Sequence, residues 1–362
     1  VNSNTRRSSP RLGWLGPLAM TAGLWLLATP AGAADITDEL RLRGRLQARY
    51  GFSEDFIDGG WYDAIELPRA RLDGRWRPED WLELTLEVDL ADGIEAKDVF
   101  GEVELHPLAR FTVGNFKKPF SRLKLDSPWD LVIPERGLLD RFAISTNRCG
   151  GFGGRELGIM LSGKWDGAVG LRYFVGVFNN PLGEGTYNRD YVARLELHAI
   201  KGLTVAVHAN HKLFREDLAE GGIGSGSARR TRNLFGGDVR WKLDAFVLQL
   251  EAAYGDNLGP GQDDSAATRV SNGEGHELVG AHAIASYRVE LTDTFSLVPA
   301  FMAEVFDADL EQDGDTAVRL AGALNADLGE SIRFSLSAEG LLQEAKGYDS
   351  PTRFYLQINL AY

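Results

Sequence analysis

Arginine is the residue whose spacing stands out. Arg41, Arg43, Arg45 and Arg49 fall on one parity, and Arg69, Arg71 and Arg75 repeat the rhythm. A guanidinium keeps its charge at physiological pH and grips carboxylate or phosphate through a planar fork, so a row of them is chemistry for holding or guiding anions. A second basic cluster, Lys117, Lys118, Arg122 and Lys124, follows, and between the two lie Glu83, Glu87, Asp89, Glu102 and Glu104. Two readings compete. Adjacent rows of opposite sign neutralise one another across a sheet, or the basic rows bias which ions pass along a pore.

Covalent chemistry has little to work with. His208 and His211 are three residues apart, which on a strand sets them on opposite faces and argues against a shared metal. His282 and Ser286 share a parity but have no acid partner or nucleophile turn beside them. The run Gly-Gly-Phe-Gly-Gly at 150–154 lacks the strand-to-helix context of a dinucleotide site. Asp309, Glu311, Asp313 and Gly314 partly resemble a calcium loop, but Leu320 stands where the closing carboxylate belongs. No catalytic residue, metal or cofactor is expected. The acidic loop reads as a solvated tip that divalent ions could bridge to lipopolysaccharide.

The elements that must carry these side chains are strands. Leu40, Leu42, Leu46 and Tyr50 alternate with the first arginines, and Leu82, Leu84, Leu86, Val88 and Leu90 alternate with Glu83, Thr85, Glu87 and Asp89. The chain ends the same way, with Phe354, Leu356, Ile358, Leu360 and Tyr362 on one parity. Sixteen such segments run from 39–51 to 352–362, joined alternately by short turns (77–80, 107–108, 165–167, 200–202, 243–244, 289–292, 328–330) and by long polar links. This alternation of link length, with both chain ends on the short-turn side, is what a transmembrane antiparallel β-barrel requires. In hydrocarbon every backbone polar group must be paired, so the sheet has to close on itself with its apolar parity outward. The reading is an all-β barrel of about 16 strands over residues 34–362.

Composition agrees. The chain has 362 residues, a net charge of −13, 42 Gly and one Cys, Cys149, which excludes a disulfide scaffold and argues against a nucleic-acid partner. Residues 1–33 read as a signal peptide: Arg6, Arg7 and Arg11 precede an uncharged stretch that ends at Ala31-Gly32-Ala33. The longest link, 117–154, carries seven basic and four acidic residues together with Phe120, Trp129, Leu131, Ile133, Leu138 and Leu139. Apolar groups in so long a link need something to pack on. It is expected to fold into the barrel as the third long loop and narrow the channel; an external lid is the alternative.

At this link the sequence resembles a known family. The stretch Arg110-Phe-Thr-Val-Gly-Asn-Phe-Lys-Lys-Pro-Phe-Ser121 is similar to the strand-to-loop signature of the phosphate-selective porins of the O and P type, with echoes in Tyr173-Phe-Val-Gly-Val-Phe-Asn179, Gly237-Asp238-Val239-Arg240-Trp241 and Leu250-Glu251-Ala-Ala-Tyr254. The resemblance implies a sixteen-stranded, homotrimeric outer-membrane porin whose third loop forms the constriction. It also implies that Lys117 and Lys118 correspond to anion-binding loop lysines and that the wall arginines form an anion ladder. The expected function is passive diffusion of small hydrophilic solutes, with a preference for anions, phosphate among them. The partners would be outer-membrane lipid, lipopolysaccharide and the solutes. The alternative is a structural or adhesive barrel whose pore is closed.

Overall fold

The computed structural model describes residues 34–37, 39–54, 61–145, 151–180, 188–217, 227–256, 277–343 and 352–362; residues 1–33, read above as a signal peptide, and Cys149 lie outside them. The strands are β1 (Ala34–Thr37), β2 (Leu40–Glu54), β3 (Trp61–Glu79), β4 (Leu82–Asp89), β5 (Glu95–His106) and β6 (Ala109–Lys117). After the long third loop come β7 (Arg155–Asp166), β8 (Gly170–Asn179), β9 (Arg189–Ile200), β10 (Leu203–Asp217), β11 (Ser227–Leu243) and β12 (Phe246–Asp256). The last are β13 (Glu277–Tyr287), β14 (Val289–Thr292), β15 (Phe295–Asp307), β16 (Thr316–Leu328), β17 (Ile332–Gln343) and β18 (Arg353–Ala361).

Apart from β13 and β14, each strand pairs antiparallel with the next, and β18 closes on β2 through the register Arg353↔Ser53 to Ala361↔Arg45. β1 continues the ladder along the start of β2, pairing Ala34 with Leu42. β14 continues β13 past a break at Arg288, and both pair with β15. Eighteen strands therefore make sixteen staves of one closed barrel. Closure leaves no free sheet edge along the wall, which is what lets a β-structure live in lipid.

Most of the expected turns shift by a residue or two, as where β7 runs to Asp166 and moves the 165–167 turn to 167–169, and two differ further. β3 runs on to Glu79, past a register shift between Trp76 and Glu79 that accommodates Pro78, so the turn shrinks to Asp80 and Trp81. Residues 289–292, read above as a turn, are extended as β14, because Val289 and Leu291 keep the outward apolar parity and Val289, Glu290 and Thr292 pair onward with β15.

The wall is inverted relative to a soluble protein. Ile65, Leu86, Val113, Val175, Phe301 and Leu356 are exposed on the outside, whereas Gln47, Arg71, Glu87, Arg194, Asp238 and Asn325 are buried on the inside. The large internal apolar clusters form where the third loop lies against the wall. Phe120, Leu138, Leu139 and Phe152 pack on Phe178, Leu234, Leu278 and Phe306. Leu123, Leu131 and Ile133 pack on Ile284, Met302 and Ala321. Each such side chain fully withdrawn from water is worth about 1.5–3 kcal/mol, which is why the loop folds inward.

Candidate functional site

The third loop starts at the end of β6, makes one helical turn α1 (Arg122–Leu125) and a five-residue π-helical turn at Asp140–Ile144, and returns through Gly151–Gly154 to β7. Wall carboxylates hold it. Glu304 on β15 accepts the backbone N–H groups of Leu138 at 2.7 Å and Leu139 at 2.8 Å, and Glu251 on β12 accepts that of Leu123 at 3.1 Å. Gly137, at φ +96°, makes the Glu304 contact possible: a Cβ there would sit 2.3 Å from the carboxylate. On the opposite side the loop reaches β2, where Gln47 donates to the Pro128 carbonyl at 3.3 Å and Arg49 to Glu135 at 2.7 Å. The loop thus crosses the interior.

The register decides which arginines are spent on the wall. Arg41 stands opposite Arg75, and Arg45 opposite Arg71. Across β4 and β5, Glu83 faces Glu102, Glu87 faces Asp98 and Asp89 faces Glu95. Like charges directly opposite one another are destabilising, so the relief comes from the neighbouring strand. Arg43 forks onto Asp73 at 2.8 and 2.6 Å. Arg71 bridges Asp89 at 2.8 Å and Glu87 at 2.9 Å. Arg155, at the start of β7, takes Asp98 at 2.7 Å. For these residues the neutralising reading holds.

The remaining expected site residues divide. Arg41 and Arg75 are exposed at the short-turn end, with Arg75 3.7 Å from Asp73. Arg45 donates to Ser127 at 3.3 Å and lies over Trp129, while Arg49 is buried over Tyr355 and bonded to Gln357 and Glu135. Arg122 is tied to Glu196 at 2.8 Å and Asp238 at 3.4 Å. Lys118 departs from the expectation: its side chain is fully buried between the returning arm of the loop and the inner face of β9, where it meets Asp190, while Lys117 bonds the loop carbonyls of Leu125 and Asp126.

Three cations that donate to carbonyl or amide oxygens rather than to carboxylates gather in one place. Arg69 donates to Gln47 at 2.7 Å. Lys117 donates to the carbonyls of Leu125 and Asp126 at 3.0 and 3.2 Å. Arg136 donates to the carbonyls of Leu123 and Asp126 at 2.8 and 2.9 Å. Two cavities adjoin them. One, of about 350 Å³, is lined by Arg69, Lys124, Arg136, Arg141, Arg319 and Arg353, with Glu135, Asp140 and Glu339. The other, of about 290 Å³, is lined by Arg69, Arg71, Lys97, Lys117, Lys124, Arg136 and Arg155, with Glu95 its one acid. Arg69, Lys124, Arg136 and Ser145 belong to both.

Burial pulls the Lys124 ammonium below its ordinary value, a shift that Asp140, 3.4 Å away, offsets only in part. Burial alone would raise the Glu135 carboxyl; Arg49, then Arg69 and Arg353, outweigh it and hold it below the usual carboxylate range. Sequence reasoning counted Arg136 only as one base of the loop and passed over Arg155 and Lys97. Nothing in the local pattern separates Arg136 from Arg141; only the course of the loop does.

No family model matches the chain, and no curated protein matches it in sequence. Solved structures do match in shape. An anion-selective porin from Comamonas acidovorans superposes with a TM-score of 0.64 at 12% identity, over 89% of this chain and 99% of that one. OmpF of Salmonella typhi gives 0.61 at 9% identity, over 89% and 97%. The outer membrane channel DcaP of Acinetobacter baumannii gives 0.59 at 11% identity, over 92% and 100%. The fold is that of the outer-membrane porins. At these identities the likeness concerns the fold alone, and the side chains that line the interior are this chain's own.

Proposed function

We propose that this chain is an outer-membrane porin through which small hydrophilic solutes diffuse passively, and that its constriction prefers anions. The observation that carries the reading is the cluster of Arg69, Lys117 and Arg136, three cations facing the space beside an inward-folded loop and answered by carbonyl and amide oxygens rather than carboxylates. A sixteen-strand barrel is wide enough to keep an aqueous lumen. The two adjoining cavities would be its narrow part, with seven cations against one acid in the smaller. An anion entering there exchanges water for N–H donors without displacing an existing ion pair. Arg43 and Arg71, already forked onto Asp73 and onto Asp89 and Glu87, would set the wall rather than bind solute.

Residues 1–33 would direct export, the barrel would sit in outer-membrane lipid beside lipopolysaccharide, and three copies would associate. Phosphate is one anion the cluster would accept, because guanidinium and ammonium donors suit a tetrahedral oxyanion. The test is conductance of the purified full chain in planar bilayers, with reversal potentials in a salt gradient. Steady channels with an anion-to-cation permeability ratio above one support the proposal. Cation selectivity refutes the preference, and a barrel that never conducts refutes the porin and favours a structural one.

A further inference from the structure

Lys118 and Lys212 share one carboxylate. Each ammonium lies 2.6 Å from Asp190 Oδ2, and all three side chains are fully buried. Both lysines also donate to the carbonyl of Gly151, on the returning arm of the third loop. The arm is sewn down further by Asn210, which donates to the Phe152 carbonyl at 2.6 Å, and by the Lys118 N–H, which donates to the Gly154 carbonyl at 3.0 Å. Two buried cations on one carboxylate oxygen are costly unless geometry demands them. Folding alone would be served by a single Lys–Asp pair.

What Lys118 has and Lys212 lacks is its place in the chain. It immediately follows Lys117, and its ammonium is anchored beneath the returning arm of the loop on the inner face of β9, which fixes the backbone from which Lys117 reaches the loop carbonyls of Leu125 and Asp126. We infer that Lys118, pinned by Asp190 and the Gly151 carbonyl, is a positioning residue that holds Lys117 in the constriction and fixes the returning arm of the loop. Lys118 itself never meets solute. This inference rests on the anion preference proposed above, and it predicts that a residue buried beneath the loop, out of contact with solute, sets selectivity in the constriction.

Two matched substitutions test it in the full chain reconstituted in bilayers. Lys118→Met and Lys212→Met each remove one buried positive charge and each leave a one-to-one Lys–Asp pair. Lys118→Met lowers the anion-to-cation permeability ratio by up to about tenfold, the combined bias one unit charge at about 6 Å through water exerts on an anion and on a cation, and raises open-channel current noise. Lys212→Met keeps the wild-type ratio. An unchanged ratio in Lys118→Met, or equal shifts in both variants, overturns the inference. If Lys118→Met does not assemble beside an assembled Lys212→Met, Lys118→Gln, which keeps a donor but lacks the reach to Asp190, is read in the same way. A wild-type channel that prefers cations refutes the anion reading instead. The pin is then judged on noise alone: greater noise in Lys118→Met than in Lys212→Met supports it, and equal noise overturns it.

Discussion

Removing the charge of Arg136 is the most direct test of the constriction. A sphere of 350 Å³ has a radius of about 4.4 Å, so an ion at the centre of the larger cavity sits about 6 Å from a lining guanidinium. At that distance a unit charge contributes about 0.7 kcal/mol if the intervening medium behaves as water, and about 2.8 kcal/mol at an effective dielectric of 20. The cavity is open to the lumen, so the lower figure governs. Arg136→Gln weakens the attraction for an anion and relieves the repulsion of a cation together, so the two factors multiply to about tenfold in the permeability ratio. The reversal potential in a KCl gradient reads this directly. Screening supplies an internal control: the Debye length falls from about 10 Å at 0.1 M salt to about 3 Å at 1 M, so the shift must shrink at high salt. A shift that persists at 1 M would mean that the loop had moved rather than that a field had been removed. An unchanged ratio at low salt would refute the reasoning, because Arg136 would then face nothing that permeates.

Three further outcomes are expected. Lys124 is held below its ordinary value of 10.5, so as pH rises through that lowered value the constriction loses a positive charge and anion preference declines earlier than an ordinary lysine would allow; Lys124→Arg removes this alkaline step in a pH series of reversal potentials. Glu304→Ala deletes the acceptor of the Leu138 and Leu139 N–H groups and leaves Arg319 with Glu339 alone, a loss of about 3 kcal/mol for a broken buried contact, which multiplies the detached-loop population about 150-fold and is seen as frequent conductance substates. Leu86→Arg puts a charge on the hydrocarbon side of β4 and destabilises the barrel by about 2–4 kcal/mol if it lies at mid-membrane, measured as the denaturant midpoint of the folded, heat-modifiable form.

The barrel was legible because its signal is redundant. Leu82 to Leu90 alternate with Glu83 to Asp89 over a whole strand, and sixteen such segments, joined by links of alternating length, admit one closed sheet. The misread turn at 289–292 shows the limit of that signal: Val289-Glu290-Leu291-Thr292 carries strand parity in four residues, too few to outweigh the turn residues beside it. The inward course of the third loop was legible as well, because Phe120, Leu131, Leu138 and Leu139 had no other apolar surface to meet.

The site was legible only as a population of charges. Which of them act depends on register, and register is a long-range property. Arg69 and Arg71 share a strand and a parity, yet Arg71 stands within reach of Asp89 and Glu87 while Arg69 hydrogen-bonds Gln47, since β4 ends its pairing with β3 at Arg71↔Asp89. Two residues along one strand therefore separate a wall brace from a free cation. The same holds for Lys117 and Lys118, which look alike in sequence and diverge in partner, loop carbonyls for one and Asp190 for the other. Moving the boundary should move the function. Extending the acidic reach by one pair, with Gln47→Glu opposite Arg69, ties up the free guanidinium without altering the loop's apolar packing. The anion-to-cation ratio then falls although no positive charge has been deleted. Gln47→Leu, which removes the amide and adds no charge, leaves Arg69 free and the ratio near that of the wild type; a ratio that falls equally in both variants would show that Gln47 matters for its contact with the Pro128 carbonyl and not for what it leaves uncompensated.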